Sequence, residues 1–83
     1  MQRVVAVSPK ESYRIWIRFE DGVEGTIDLS PLVGQGVFAQ LADPEVFAQV
    51  YVDPVTHTVA WPHGLDLCPD TLYADLTTKR QAA

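Results

Sequence analysis

The feature that most constrains the fold is a pair of alternating segments joined by a glycine-containing turn. Residues 13–19 (YRIWIRF) alternate apolar and polar side chains, and residues 23–29 (VEGTIDL) do the same. Alternation with a period of two is typical of β-strands that bury one face. Because Glu20-Asp21-Gly22 between them is a turn sequence, the two segments predict an antiparallel β-hairpin.

Two loop lengths are conceivable for this hairpin, and they give different registers. A two-residue Asp-Gly turn would place Ile15 opposite Asp28 and mix the two faces. A three-residue loop, with Gly22 in the left-handed region at a bulge, places Ile15 opposite Ile27 and Arg14 opposite Asp28. This second register pairs apolar with apolar residues and opposite charges with each other, so it is the predicted one.

Short elements follow the hairpin. Ser30-Pro31 and Asp43-Pro44-Glu45 each combine an N-cap residue with a proline at the first helical position, so each predicts a helix start, the second helix ending near Ala48. Cys68-Pro69-Asp70 predicts the start of a last helix in the same way. The buried stripe of that helix is expected to consist of Leu72, Tyr73 and Leu76.

The remaining segments predict strands. An N-terminal strand is expected at 3–8, and residues 50–53 and 58–61 form a second hairpin before a turn at Pro62-His63-Gly64. Together the elements predict an α+β domain in residues 1–76, followed by a flexible tail at 77–83. Its architecture is a small, mostly antiparallel sheet, made of two hairpins plus the N-terminal strand, with short helices on one face.

The charge distribution suggests what this domain binds. The 83-residue chain has a net charge of −5, and no lysine or arginine lies between Phe19 and Thr78. Such a surface repels phosphate backbones, so direct nucleic-acid binding is not expected. Such a surface would steer a basic protein partner or hold a cation, and it also serves to keep a small protein soluble. The candidate residues of this acidic partner surface are Glu20, Asp21, Glu24, Asp43 and Glu45.

Composition indicates the cellular compartment. The chain has one cysteine, which favours a reducing compartment, and the N-terminal apolar run is too short for a secretory or membrane segment. A cytoplasmic protein that does not enter membranes is therefore expected. A sheet edge left uncovered would favour a homodimer.

Residues 61–73 (WPHGLDLCPDTLY) bring several reactive residue types together. A thiol at a helix N-terminus with a histidine five residues earlier could form a nucleophile, and these residues with the nearby aspartates could bind a metal. Capping and turn roles account for the same residues, and tightly spaced ligand pairs are missing, so no enzyme activity and no cofactor are predicted. The positions kept as candidates are Trp61, His63, Asp66, Cys68, Asp70 and Tyr73.

Three segments of the chain resemble motifs of domain-of-unknown-function family 2442 (DUF2442), a bacterial family. They are YRIWIRFEDGVEGTIDLSPL, LADPEVFAQVYVD and VAWPHGLDLCPDTLY, which occur in the family's order. The resemblance as a whole covers about residues 3–76. The resemblance implies an α+β fold. His63 stands where the family usually has asparagine, so the resemblance gives this histidine no shared role.

The resemblance also implies a genetic setting. Family members are often encoded beside another small protein, in an arrangement similar to toxin–antitoxin pairs, and some carry an appended helix-turn-helix domain. The sequence and the resemblance together favour a protein-interaction domain, antitoxin-like, with a basic partner encoded nearby. The alternatives are an accessory transcriptional regulator or ligand sensor, and a small Cys/His enzyme or metal-binding protein.

Overall fold

The chain folds into two three-stranded antiparallel sheets and two helices. The computed structural model describes the backbone of residues 2–82, and their side chains except those of Val37, His63 and residues 78–82. Short 3₁₀ segments lie at Glu11–Tyr13, Gly36–Ala42 and Pro62–Gly64. The strands are β1 (Val4–Lys10), β2 (Arg14–Phe19), β3 (Glu24–Asp28), β4 (Tyr51–Val52), β5 (Val59–Trp61) and β6 (Leu65–Leu67), and the helices are α1 (Pro44–Phe47) and α2 (Pro69–Ala82). The predicted α+β class is confirmed.

The first sheet has the strand order β1-β2-β3, and the β2–β3 hairpin has the predicted register. Ile15 lies opposite Ile27, and the backbone N–H of Phe19 donates to the carbonyl of Val23 at 2.7 Å to close the loop. Gly22 has a φ of 93°. A side chain at this φ would strain the backbone, so glycine permits the three-residue loop.

The predicted N-terminal strand is β1, and it pairs antiparallel with β2, with a bulge between Val4 and Ala6. It also connects the two sheets, because the N–H of Val4 donates to the carbonyl of His57 at 2.9 Å. His57 lies in the turn between β4 and β5, so this bond fixes that turn against the edge of the first sheet.

The second sheet has the order β4-β5-β6. The predicted second hairpin is confirmed by the pairing of Val52 with Val59. Strand β6 was not predicted, because three residues between a turn and a proline are too few to show alternation. Val59 also pairs with Leu67 of this strand, so β5 is central, and the protein has two sheets where the sequence suggested one.

The helix predicted at Ser30-Pro31 does not form. Residues 30–34 are turns, and a 3₁₀ segment follows from Gly36. Gly34 and Gly36 have φ values of 88° and 54°, which interrupt a right-handed helix. The N–H of Ser30 donates to the carboxylate of Asp28 at 2.9 Å, so this serine continues a turn instead of capping a helix.

The other two predicted helix starts are confirmed. The Asp43 carboxylate accepts the N–H of Glu45 at 2.9 Å, and α1 ends with its C-cap at Ala48. Helix α2 begins at Pro69 and extends through Ala82. Its backbone is therefore helical beyond residue 76, and the expected flexibility of residues 77–83 stays a prediction.

The core lies between the first sheet, the second sheet and α2. The largest fully buried side chains are Trp61, Phe19, Ile15, Ile17, Ile27, Leu41, Val4 and Val59. Leu72 and Leu76 of the predicted stripe are buried, and Tyr73 is partly buried. A Cβ at Gly25 would lie 2.7 Å from Cδ2 of Leu76, so the missing side chain in β3 is what lets α2 approach.

Candidate functional site

Trp61, the first candidate of the 61–73 stretch, is a core residue. It is 1% exposed, and its indole N–H donates to the carbonyl of Phe47 at 2.9 Å. The two rings lie 6.0 Å apart at an interplanar angle of 39°. Since a buried indole N–H must find an acceptor, this bond joins β5 to the end of α1. Trp61 is therefore inaccessible to a ligand at the surface.

The turn that follows Trp61 leads into β6. Pro62–Gly64 is one 3₁₀ turn, and Asp66 is exposed on β6 opposite Ala60. The side chain of His63 lies outside the described part of the structure. The alternative of a His63–Cys68 nucleophile therefore stays untested.

Cys68 is exposed and directly precedes α2. Hydrogen bonds from the backbone N–H and hydroxyl of Thr71, and from the N–H of Asp70, lower the pKa of the Cys68 thiol. Three donors at a helix N-terminus stabilise a thiolate, as expected from the unpaired N–H groups there. The arrangement favours the thiolate form of Cys68. Asp70 itself accepts the N–H of Gln2 at 2.9 Å and so fixes the N-terminal segment.

Tyr73 connects the final helix to the first hairpin. Its hydroxyl donates to Oδ2 of Asp21 at 2.7 Å, and its ring packs edge-on against Phe19 with centroids 5.0 Å apart. Oδ1 of Asp21 accepts the N–H of Val23 at 3.0 Å. These hydrogen bonds, the one from Tyr73 first, lower the pKa of Asp21. The hairpin loop is thus held against α2 through the Asp21 carboxylate.

The five acidic candidates fall into two groups. Glu20, Asp21 and Glu24 lie at the tip of the β2–β3 hairpin and are exposed. Asp43 and Glu45 are exposed too, but they lie at the start of α1, near the opposite end of the hairpin. A hydrogen bond places the start of α1 there: the hydroxyl of Tyr13, just before β2, donates to the carbonyl of Ala42, just before α1. The tip group is called the acidic tip below.

Several aspartates have a local structural role. Asp21, Asp28, Asp43 and Asp53 each accept the backbone N–H of the residue two positions ahead, at 2.8 to 3.0 Å. This is the Asx-turn arrangement, which substitutes for a backbone turn bond. Part of the acidic character of the chain therefore arises from its turns.

The outer face of the first sheet has Trp16 at its centre. Trp16 is half-buried, and the Arg18 guanidinium carbon lies 5.3 Å from its ring centroid. Arg18 Nε also donates to Glu24 at 2.7 Å, in the predicted cross-strand pair. Since this carboxylate neutralises Arg18, the face offers little net attraction for a nucleic-acid backbone.

A groove that sequence reasoning missed lies at the other end of the first sheet. It has a volume of about 860 Å³, and its apolar wall consists of Pro9, Tyr13, Pro44, Phe47 and Ala48. The segment that connects β1 to β2 forms one side of it, and α1 forms the other. A groove of this kind is the usual location of a ligand site. We call it the Tyr13 groove.

The Tyr13 groove could not be found from the sequence because its backbone is unusual. Ser12 and Tyr13, which both line it, have φ values of 59° and 60°. Left-handed conformations are uncommon for residues other than glycine and cost free energy that the surrounding structure must offset. The signal that was available is the pair of cations at Lys10 and Arg14, which also line the groove.

The described residues show neither a metal-binding cluster nor a membrane-spanning helix. Within residues 2–82, excluding the undescribed side chains, histidine, cysteine, aspartate and glutamate nowhere form a group of three that could bind a metal ion. Neither helix, as far as the structure describes them, combines the length and apolar character needed to cross a membrane.

The chain was compared with curated proteins, solved structures and protein-family models. A search of curated proteins found no match to the chain, and a search of solved structures found none. A family model described as "Protein of unknown function (DUF2442)" matches residues 4–78, which is nearly the whole chain. The match includes both the hairpin loop around Asp21 and the helix that carries Tyr73. The chain belongs to the DUF2442 family.

Proposed function

We propose that this chain is a protein-interaction domain that binds a basic protein partner through the acidic tip. The observation that supports the proposal best is the fixed position of the tip. Two hydrogen bonds hold Asp21, one from Tyr73 and one from the backbone of Val23, while Glu20 is exposed beside it. A rigid charged surface loses little conformational entropy on binding, which favours association.

The charge of the chain supports the same proposal. Ten of its eleven carboxylates lie between Phe19 and Thr78, where there is no lysine or arginine. A field of one sign accelerates the encounter with a partner of the opposite sign, and it does so less at high salt. We propose that the partner is encoded beside this chain, in an antitoxin-like arrangement in which the acidic protein covers a basic one.

The experiment is co-expression of the tagged chain with the product of the adjacent gene, followed by purification at low and at high salt. We expect the two proteins to co-purify at low salt and the affinity to fall as salt is raised. Absence of association with the neighbouring product, or an affinity that does not respond to salt, would refute the proposal.

The acidic tip can be tested separately from the overall charge. Glu20→Gln removes one charge from the tip, and Glu45→Gln removes one charge from the start of α1, so both variants have the same net charge. We expect Glu20→Gln to lower the association rate constant by about threefold, because single charges at the rim of an interface affect mainly the rate of encounter. Glu45→Gln should have a smaller effect. Equal effects of the two variants would show that the partner responds to net charge and not to the tip.

A further inference from the structure

The Tyr13 groove is a second candidate site, at the opposite end of β2 from the acidic tip, and it differs from the tip in charge. Lys10 and Arg14 both line it and lie directly opposite each other in the β1–β2 register. Two like charges opposite each other on neighbouring strands destabilise a sheet. The chain has six lysines and arginines in all and a net charge of −5, so two of its few cations are paired with each other across neighbouring strands.

The apolar wall of the groove is fixed in position. The Tyr13 hydroxyl donates to the carbonyl of Ala42 at 2.5 Å, and its ring packs edge-on against Phe47 with centroids 5.4 Å apart. Phe47 is 4% exposed and belongs to the core. A ligand that contacts this wall would meet side chains that are already ordered, so little entropy would be lost on binding.

We propose that the Tyr13 groove binds a small organic carboxylate, whose charged group lies between Lys10 and Arg14 and whose apolar body packs on Tyr13 and Pro44. The volume of about 860 Å³ is within the range of small-molecule sites. Arginine binds planar carboxylates through two parallel hydrogen bonds, and a carboxylate removes the repulsion between the two cations.

The charge of the lining favours a monoanion over a phosphate dianion. Glu11 also lines the groove, and Asp28 lies opposite Arg14 in the β2–β3 register, so carboxylates of the chain share these cations with the ligand. A ligand with one negative charge meets less repulsion from these carboxylates than a dianion does. The hydroxyls of Ser12 and Thr26, which line the groove as well, offer additional polar contacts.

The proposal is tested by titrating the ¹⁵N-labelled full chain with phenylbutyrate and, separately, with its neutral amide, phenylbutyramide. The two probes have the same apolar body and differ in charge. We expect shifts confined to residues 9–14, Thr26 and residues 44–48. The affinity should be about fivefold higher for the carboxylate, which is the gain expected from a partly exposed charge-assisted hydrogen bond. Phenyl phosphate, as a third probe, should bind no more tightly than phenylbutyrate.

Variants locate the charge preference. Lys10→Gln and Arg14→Gln should each reduce the preference for the carboxylate over the amide, whereas Arg18→Gln should keep it. Arg18 is the matched control, because it lies on the same strand and face as Arg14 but does not line the groove. Lys10 is exposed at the end of β1, so Lys10→Gln is a valid test even if Arg14→Gln fails to fold.

Three results would overturn the proposal. These are shifts spread over the whole chain or absent with every probe, equal affinities for the carboxylate and the amide, and an Arg18→Gln variant that loses as much preference as Lys10→Gln. Tighter binding of phenyl phosphate would overturn the choice of a monoanion. None of these results depends on the acidic tip, so the two proposals succeed or fail separately.

Discussion

Replacing Trp61 with phenylalanine tests whether the family-like 61–73 stretch begins with a structural residue. The substitution keeps a six-membered aromatic ring in the core and removes the pyrrole part with its N–H. In the native protein that N–H donates to the Phe47 carbonyl at 2.9 Å. The carbonyl also accepts the N–H of Val50 at 3.3 Å, so it keeps one partner in the variant.

The expected cost has two parts. The lost ring atoms are comparable to about two buried methylene groups, or roughly 1.5 kcal/mol of transfer free energy. The lost hydrogen bond adds about 1 kcal/mol, which is the usual net contribution of a hydrogen bond to stability. No larger penalty applies, because the Phe47 carbonyl keeps another partner. The free energy of unfolding should therefore fall by about 2.5 kcal/mol, which lowers Tm by roughly 10–20 °C in a domain of this size.

Urea unfolding followed by far-UV circular dichroism measures this change without relying on tryptophan fluorescence. Trp16→Phe is the control, since Trp16 is half-buried on the outer face of the first sheet, and its loss should cost less than about 1 kcal/mol. If Trp61→Phe cost no more than Trp16→Phe, the structural role assigned to Trp61 would be wrong.

Three further predictions follow from single contacts. Tyr73→Phe removes the hydrogen bond that contributes most to the lowered pKa of Asp21. A lowered carboxyl pKa stabilises the fold above the ordinary value of 3.8, and this stabilisation is lost as pH falls through the folded pKa. The variant should therefore lose less stability than the native chain in acid titrations monitored by circular dichroism, and an unchanged acid profile would contradict this role. Gly25→Ala should destabilise by about 1 kcal/mol in urea unfolding because of the contact with Leu76, and a neutral or stabilising effect would mean that α2 moves away freely. Cys68 should react with iodoacetamide faster than free cysteine near neutral pH, and an equal rate would contradict its lowered pKa.

The first hairpin could be predicted in detail because two independent patterns select one register. Apolar residues face each other only if Ile15 lies opposite Ile27, and the same register puts an arginine opposite a carboxylate at both ends. The segment after the hairpin gave no such agreement. Ser30-Pro31 has the composition of a helix start, but the Asp28 side chain forms a turn by accepting the N–H of Ser30, and local sequence does not decide between the two.

The candidate sites depend on contacts that local patterns do not reveal. Tyr73 and Asp21 are 52 residues apart in the chain, and neither residue type signals the other. The Tyr13 groove requires a left-handed Ser12 and Tyr13, which nothing in their side chains demands, together with α1 from a distant segment. Sequence reasoning therefore found the residues of the tip but not what holds them, and it missed the groove entirely.

The tip contacts also determine which carboxylate a basic partner can engage. Both oxygens of Asp21 accept hydrogen bonds within the chain, and Glu24 is paired with Arg18. No described side chain pairs with the carboxylate of Glu20. A partner that competed for Asp21 would have to detach the hairpin from α2, whereas contact with Glu20 leaves the fold unchanged. Binding at the tip should therefore depend most on Glu20, with Asp21 and Tyr73 acting as the support that positions it.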